Sequence, residues 1–160
     1  MRLFLVIAIS LLAIIPNFAQ TRGTVQAFFN QPFATEENVD NLSTYSGIKF
    51  KVKKEPVVNI HEPSVVDTVY HFKKCKNHIW LYKSAYNTIV YKATLSSKKA
   101  KLAFGIRPGM KREEFYKAII NLKATGAAVH TFSNNDKSAS ATVTFKRDKL
   151  KTISFEYGLD

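Results

Sequence analysis

The chain has 160 residues, 24 Lys+Arg against 12 Asp+Glu, a formal charge of +12 and 46% hydrophobic residues. That length and apolar content suit one globular domain and exclude a disordered polycation. A single cysteine excludes an internal disulfide, and four scattered histidines form no zinc framework.

Residues 1–20 read MRLFLVIAISLLAIIPNFAQ. A basic start at Arg2, an apolar run from Leu3 to Ile15, the breaker Pro16 and the small residue Ala19 make the three parts of a secretory signal peptide. The run is too short for a bilayer span, which takes roughly 20 apolar residues. Cleavage is expected after Ala19, with no transmembrane span left, and no cysteine stands nearby to carry a lipid. The product keeps 141 residues and loses only Arg2 among the charged side chains, so the charge falls from +12 to +11. The basic character belongs to the exported protein, and its expected place is periplasmic or extracellular.

Residues 20–45 are polar with scattered aromatics (Phe28, Phe29, Phe33) and no sustained period, so they read as an irregular N-terminal segment ahead of a single α+β domain over 46–160. From Ser46 to Lys54 the pattern becomes strict. Ile48, Phe50 and Val52 alternate with Lys49, Lys51 and Lys53, giving a strand with one apolar and one cationic face. Pro56 is expected to end it, with a loop over Glu55–Asp67. Thr68–Lys73 and His78–Lys83 then form a hairpin around Lys74–Asn77. On its second strand His78, Trp80 and Tyr82 point one way and Ile79 and Leu81 the other. Further strands are expected at Thr88–Leu95 and Lys101–Ile106.

The one clear helical pattern runs over about 111–123. Phe115, Ala118, Ile119 and Leu122 recur at i, i+3, i+4 and i+7, the stripe that buries one helix face on a sheet. Glu113 and Glu114 in its first turn and Lys123 near its end follow the charge order that the helix dipole favours. Gly126 supplies a stop. Strands at Ala127–Phe132, Ser138–Phe145 and Leu150–Tyr157 finish the chain, the last two joined by Lys146-Arg147-Asp148-Lys149. Strands, one helix and strands again predict an antiparallel α+β sheet with the helix packed on one face.

The segment IRPGMKREEFYKA at Ile106–Ala118, followed by VTFKRDKLKTISFEY, resembles small exported bacterial domains with the β-lactamase inhibitor protein-like fold. The SmpA/OmlA proteins and uncharacterised secreted proteins of Bacteroidetes share that look. Ile106, Gly109, Met110, Glu114 and Phe115 match the element that opens the helix in such domains. Lys111 stands where Ser or Thr would usually cap it and cannot accept the capping hydrogen bond. The resemblance covers about 50 residues and implies a fold and an envelope location. Activity does not travel with fold. β-Lactamase inhibition is not implied, because the inhibitor carries two tandem copies of the motif.

No nucleophile motif is present, and of the adjacent acids Glu36-Glu37 and Glu113-Glu114 the latter point apart on a helix and serve as first-turn charges, so no catalytic residue is assigned and the protein is expected not to be an enzyme. His71, Cys75 and His78 lie within eight residues, but without converging ligands neither metal nor cofactor is expected. Two features remain. Lysines cluster at Lys49, Lys51 and Lys53 and again in the turns, and aromatics crowd the central strands at Tyr70, Phe72, Trp80, Tyr82 and Tyr91. A helix covers one face of a sheet, so one of the two rows on His78–Lys83 must meet something else: the N-terminal segment, a second copy or a ligand. The expected binding surface comprises Tyr70, His78, Trp80, Tyr82, Lys49, Lys51 and Lys53. Its expected partner is an envelope protein or an anionic envelope component, and specific nucleic-acid binding is not expected. A secreted enzyme or inhibitor acting on a host or competitor target is the alternative.

Overall fold

The computed structural model describes residues 22–59 and 61–158; the expected signal peptide lies outside the described residues. Seven antiparallel strands form one sheet. They are β2 (Lys51–Val58), β3 (Val66–Lys74), β4 (Asn77–Lys83), β5 (Thr88–Leu95), β7 (Val129–Ser133), β8 (Ala139–Lys146) and β9 (Lys149–Tyr157). Their order across the sheet is β2-β3-β4-β5-β9-β8-β7. A two-residue strand β1 (Gly23–Thr24) pairs in parallel with β6 (Ile119–Ile120) beside it. Three short helices, α1 (Val25–Asn30), α2 (Val39–Ser43) and α3 (Arg112–Ala118), complete the regular structure with two single 3-10 turns.

Tight turns set the register. The β8–β9 connection places Arg147 and Asp148 at φ 50° and 58°, the doubly left-handed pattern that suits the right-handed twist of a two-residue hairpin. In the β3–β4 turn Cys75 takes φ 53°. With register fixed, one row crosses the whole sheet as Val52, Phe72, Ile79, Ala93, Phe155, Ala141 and Phe132. All but Val52 are buried. Large and small side chains alternate along its second half, and rings from the N-terminal segment fill the gaps. Phe28 meets Phe132 and Phe155 at 6.2 Å each, and Phe33 meets Phe155 at 5.6 Å. Phe115 of α3 packs against Phe145 at 5.6 Å. Each such ring contributes about 2–3 kcal/mol of apolar burial.

The segment expected to be irregular therefore supplies much of the core. Thr24 caps α1 by accepting from the Ala27 N–H, and Asn38 caps α2 by accepting from the Asn41 N–H. Phe28, Phe29, Phe33, Leu42 and Tyr45 are all buried in the same cluster as the sheet. Glu37 takes the place of a missing strand partner, its carboxylate accepting the Val90 N–H at 3.0 Å.

Four boundaries differ from expectation. The first long strand begins at Lys51 and runs through Pro56 to Val58, because an edge strand tolerates a residue without an N–H. The loop after it is correspondingly shorter. Lys101–Ile106 is not a strand: Leu102 makes a single bridge to Phe33, and Phe104 at φ 57° turns the chain in a 3-10 turn. The helix expected over about 111–123 stops at Ala118, since Ile119 adopts an extended conformation and pairs with Gly23. The start of α3 carries half a capping box: Glu114 accepts from the Lys111 N–H at 2.8 Å, with no acceptor offered by the lysine. Before it, Gly109 at φ +96° donates its N–H to the Leu150 carbonyl, and Met110 accepts from the Leu150 N–H. That loop is thereby stitched to β9.

Candidate functional site

On the face of the sheet opposite Phe72 and Phe155, cross-strand pairing arranges the side chains in parallel rows. One row reads Lys51, Lys73, His78, Thr94, Ser154, Thr142 and Thr131, one residue per strand. The next reads Lys53, His71, Trp80, Lys92, Glu156, Ser140 and Ser133. Every residue of both rows is exposed or half-buried. A third, shorter row, Glu55, Val69, Tyr82 and Ile89, is more apolar. It opens into a cleft of about 540 Å³ bordered by Val57, Val58, Asn59 and His61.

The centre of this face is a stack of rings. His71 and Trp80 lie nearly parallel with centroids 4.5 Å apart, and His78 stacks beside both at 5.2 and 5.5 Å. His71 Nε2 and His78 Nδ1 are 3.0 Å apart and share a hydrogen bond. The Lys92 ammonium lies over Trp80 at 5.9 Å from the ring centroid. The three rings are packed against one another, their planes within 22° of parallel. A flat ligand finds little free indole surface there, since His71 and the Lys92 ammonium already lie against the ring.

Charge is distributed unevenly. Glu55 is held by Lys53 at 2.5 Å, which keeps its carboxyl below the usual range, and Glu156 is held by Lys92 at 3.1 Å. Asp67, only 2% exposed, accepts from Asn59 Nδ2 at 2.7 Å and from the Tyr82 hydroxyl. Hydrogen bonding to that carboxylate raises the Tyr82 pKa. The row from Lys51 to Thr131 contains no acid. Burial first, then repulsion from His78, Lys73 and Lys53, lowers the pKa of His71; Glu55 opposes the shift. The hydroxyls of that row pair with each other, Thr94 with Ser154 at 3.1 Å and Thr131 with Thr142 at 2.9 Å.

Of the expected surface residues, Lys51, Lys53, His78, Trp80 and Tyr82 share this face. Tyr70 does not. It pairs with Leu81 and packs against Phe72 on the covered side, with Lys54 over its ring at 5.5 Å. The hairpin already joins Lys73 to His78, and counting back from that pair sets Tyr70 opposite Leu81. Lys49 precedes β2 and belongs to neither row. Tyr91 falls at a bulge, where Trp80 pairs with Lys92 and Leu81 with Val90. Cys75 is exposed in its turn, and among the described residues no three metal-ligating side chains converge. His71, weighed in the sequence only as a metal ligand, joins the face between Lys53 and Trp80, and Lys92 and the hydroxyl residues join it unexpected. The signal for the hydroxyls was the alternation of Thr142 and Thr144 with Ala141 and Val143 on β8, and of Thr152 and Ser154 with Ile153 and Phe155 on β9.

Among the described residues no helix is long and apolar enough to cross a membrane. Comparison of the chain with protein-family models, with curated proteins and with solved structures finds no match.

Proposed function

We propose that this protein is an exported, non-enzymatic binding module of the bacterial envelope that recognises an anionic partner through the open face of its sheet. In this reading α3 and the N-terminal helices are the cover of one face, and the ligand is the cover of the other. The observation that carries it is the row from Lys51 to Thr131, which crosses seven strands with hydrogen-bond donors and no acid. An excess of positive charge speeds encounter with acidic partners over about a Debye length of 8–10 Å. The N-terminal segment ending at Ala19 supports export, and the element from Ile106 to Phe115 supports a β-lactamase inhibitor protein-like domain of the envelope. A secreted enzyme or inhibitor is the less supported reading, since the face's three carboxylates are already engaged by Lys53, Lys92, Tyr82 and Asn59.

The test uses the chain from Gln20 as bait for envelope extract at physiological and at doubled salt. The double variant Lys51→Glu/Lys73→Glu should lose a salt-resistant component that the unaltered protein and a Lys123→Glu control retain. Equal retention by all three would rule out the open face as the binding surface.

A further inference from the structure

Resting on that reading, we infer that the ligand of the open face is an acidic polysaccharide lying across the strands, its carboxylates on β2–β4 and its hydroxyls on β5, β9, β8 and β7. The row is chemically divided. Lys51, Lys73 and His78 form a cationic end, and Thr94, Ser154, Thr142 and Thr131 form a hydroxyl end. Within each hydroxyl pair one oxygen donates to the other, so each pair still presents one free O–H and unused lone pairs. A uronate chain carries a carboxylate and free ring hydroxyls on each unit and can satisfy both ends.

Spacing points the same way. Adjacent strands are about 4.8 Å apart, so the row offers one polar group at each such step over about 29 Å. One pyranose advances an extended glycan by roughly one strand spacing. An extended acidic peptide repeats like-facing side chains at about 6.8 Å, out of step with the strands. A single-stranded nucleic acid gains its sequence-tolerant affinity by stacking bases on aromatic faces. Here Trp80 lies between His71 and Lys92, and its faces are occupied.

The experiment is calorimetric titration of the chain from Gln20 with hexagalacturonate, with xylohexaose as the neutral glycan and with hexaglutamate and a short oligothymidylate as non-glycan anions. Hexagalacturonate should bind at least tenfold more tightly than any of the other three. Lys73→Gln should weaken it about tenfold, and Thr142→Val, a half-buried near-isosteric change, about threefold. If hexaglutamate or oligothymidylate binds as tightly and Thr142→Val has no effect, the glycan assignment falls and the anionic face stands. Absence of binding to every anion, or indifference to Lys73→Gln, removes both.

Discussion

His71 and Trp80 face each other across β3 and β4 with ring planes 6° from parallel and centroids 4.5 Å apart, nearer than His78 at 5.5 Å, so the only tryptophan of the chain is placed to report first on the charge of His71. A protonated imidazole in face contact quenches indole emission. Acidification should therefore dim Trp80 with a midpoint below the ordinary imidazole value of 6.5, because burial and the neighbouring His78, Lys73 and Lys53 disfavour the charged ring. His71→Gln should shrink the quenching while His78, stacked on the indole at 5.5 Å, stays in place, and Lys73→Gln should move the midpoint upward. Stability follows the same sign. The unfolded chain takes up this proton more readily than the folded one, so stability falls as pH drops below about 6.5, down to the lowered folded value, and the penalty is absent above 6.5. A fluorescence titration that is flat in the unaltered protein would contradict the stacked geometry.

Glu37 gives the opposite slope. Burial raises its pKa, with the Val90 N–H hydrogen bond partly opposing. The folded chain then holds this proton more tightly than the unfolded one, so the group's cost to stability appears as pH rises above about 4.5 and is complete above the raised folded value. Glu37→Gln keeps an oxygen to accept the Val90 N–H without a buried charge. Its urea midpoint should exceed that of the unaltered protein at about pH 7 and match it at about pH 4.

The N-terminal helix α1 should behave as core. Phe28→Ala removes a fully buried ring that touches Phe29, Phe132 and Phe155 and is expected to cost about 3–5 kcal/mol. Trp80→Ala, on the half-exposed face, should cost well under half as much. Chemical denaturation of the two variants side by side checks the assignment of the two faces.

Arg112 ties three segments together. Its guanidinium donates to Asp148 at 2.8 Å and to the carbonyls of Thr125 and Ala127 at 3.1 and 2.6 Å, and it lies 4.2 Å over the Phe145 ring. Arg112→Ala should lower unfolding stability by about 2–4 kcal/mol, since charged hydrogen bonds to several partners are lost together. Arg112→Lys should recover less than half of that, because a lysine cannot reproduce the planar fork.

The two-residue alternation made the open face partly legible. His78, Trp80 and Tyr82 separate from Ile79 and Leu81 by parity alone, as Lys51 and Lys53 separate from Val52. Parity within one strand does not say which strand lies beside which, and the row joining β5 to β9 and β8 required the long crossover that brings the chain's end back to its middle. Phe28 and Phe29 were illegible for a different reason: a six-residue helix is too short to display a period. The helical stripe of Phe115, Ala118, Ile119 and Leu122 misled because Ile119 meets the same burial requirement from an extended backbone, and β-branched side chains favour that conformation.

Strand β2 lies at the edge with almost all of its residues exposed on both faces, Val52 at 39% and Val58 at 62%. Little apolar contact holds it beyond its ladder to β3, so it belongs to the part of the molecule that frays first, while β4, β5 and β9 are clamped over the core. The row that begins at Lys51 thus has a soft first position on β2 and a stiff centre at His78, Thr94 and Ser154. An arriving polyanion would meet the pliant edge by long-range attraction and adjust it, then be gauged by the centre that does not yield.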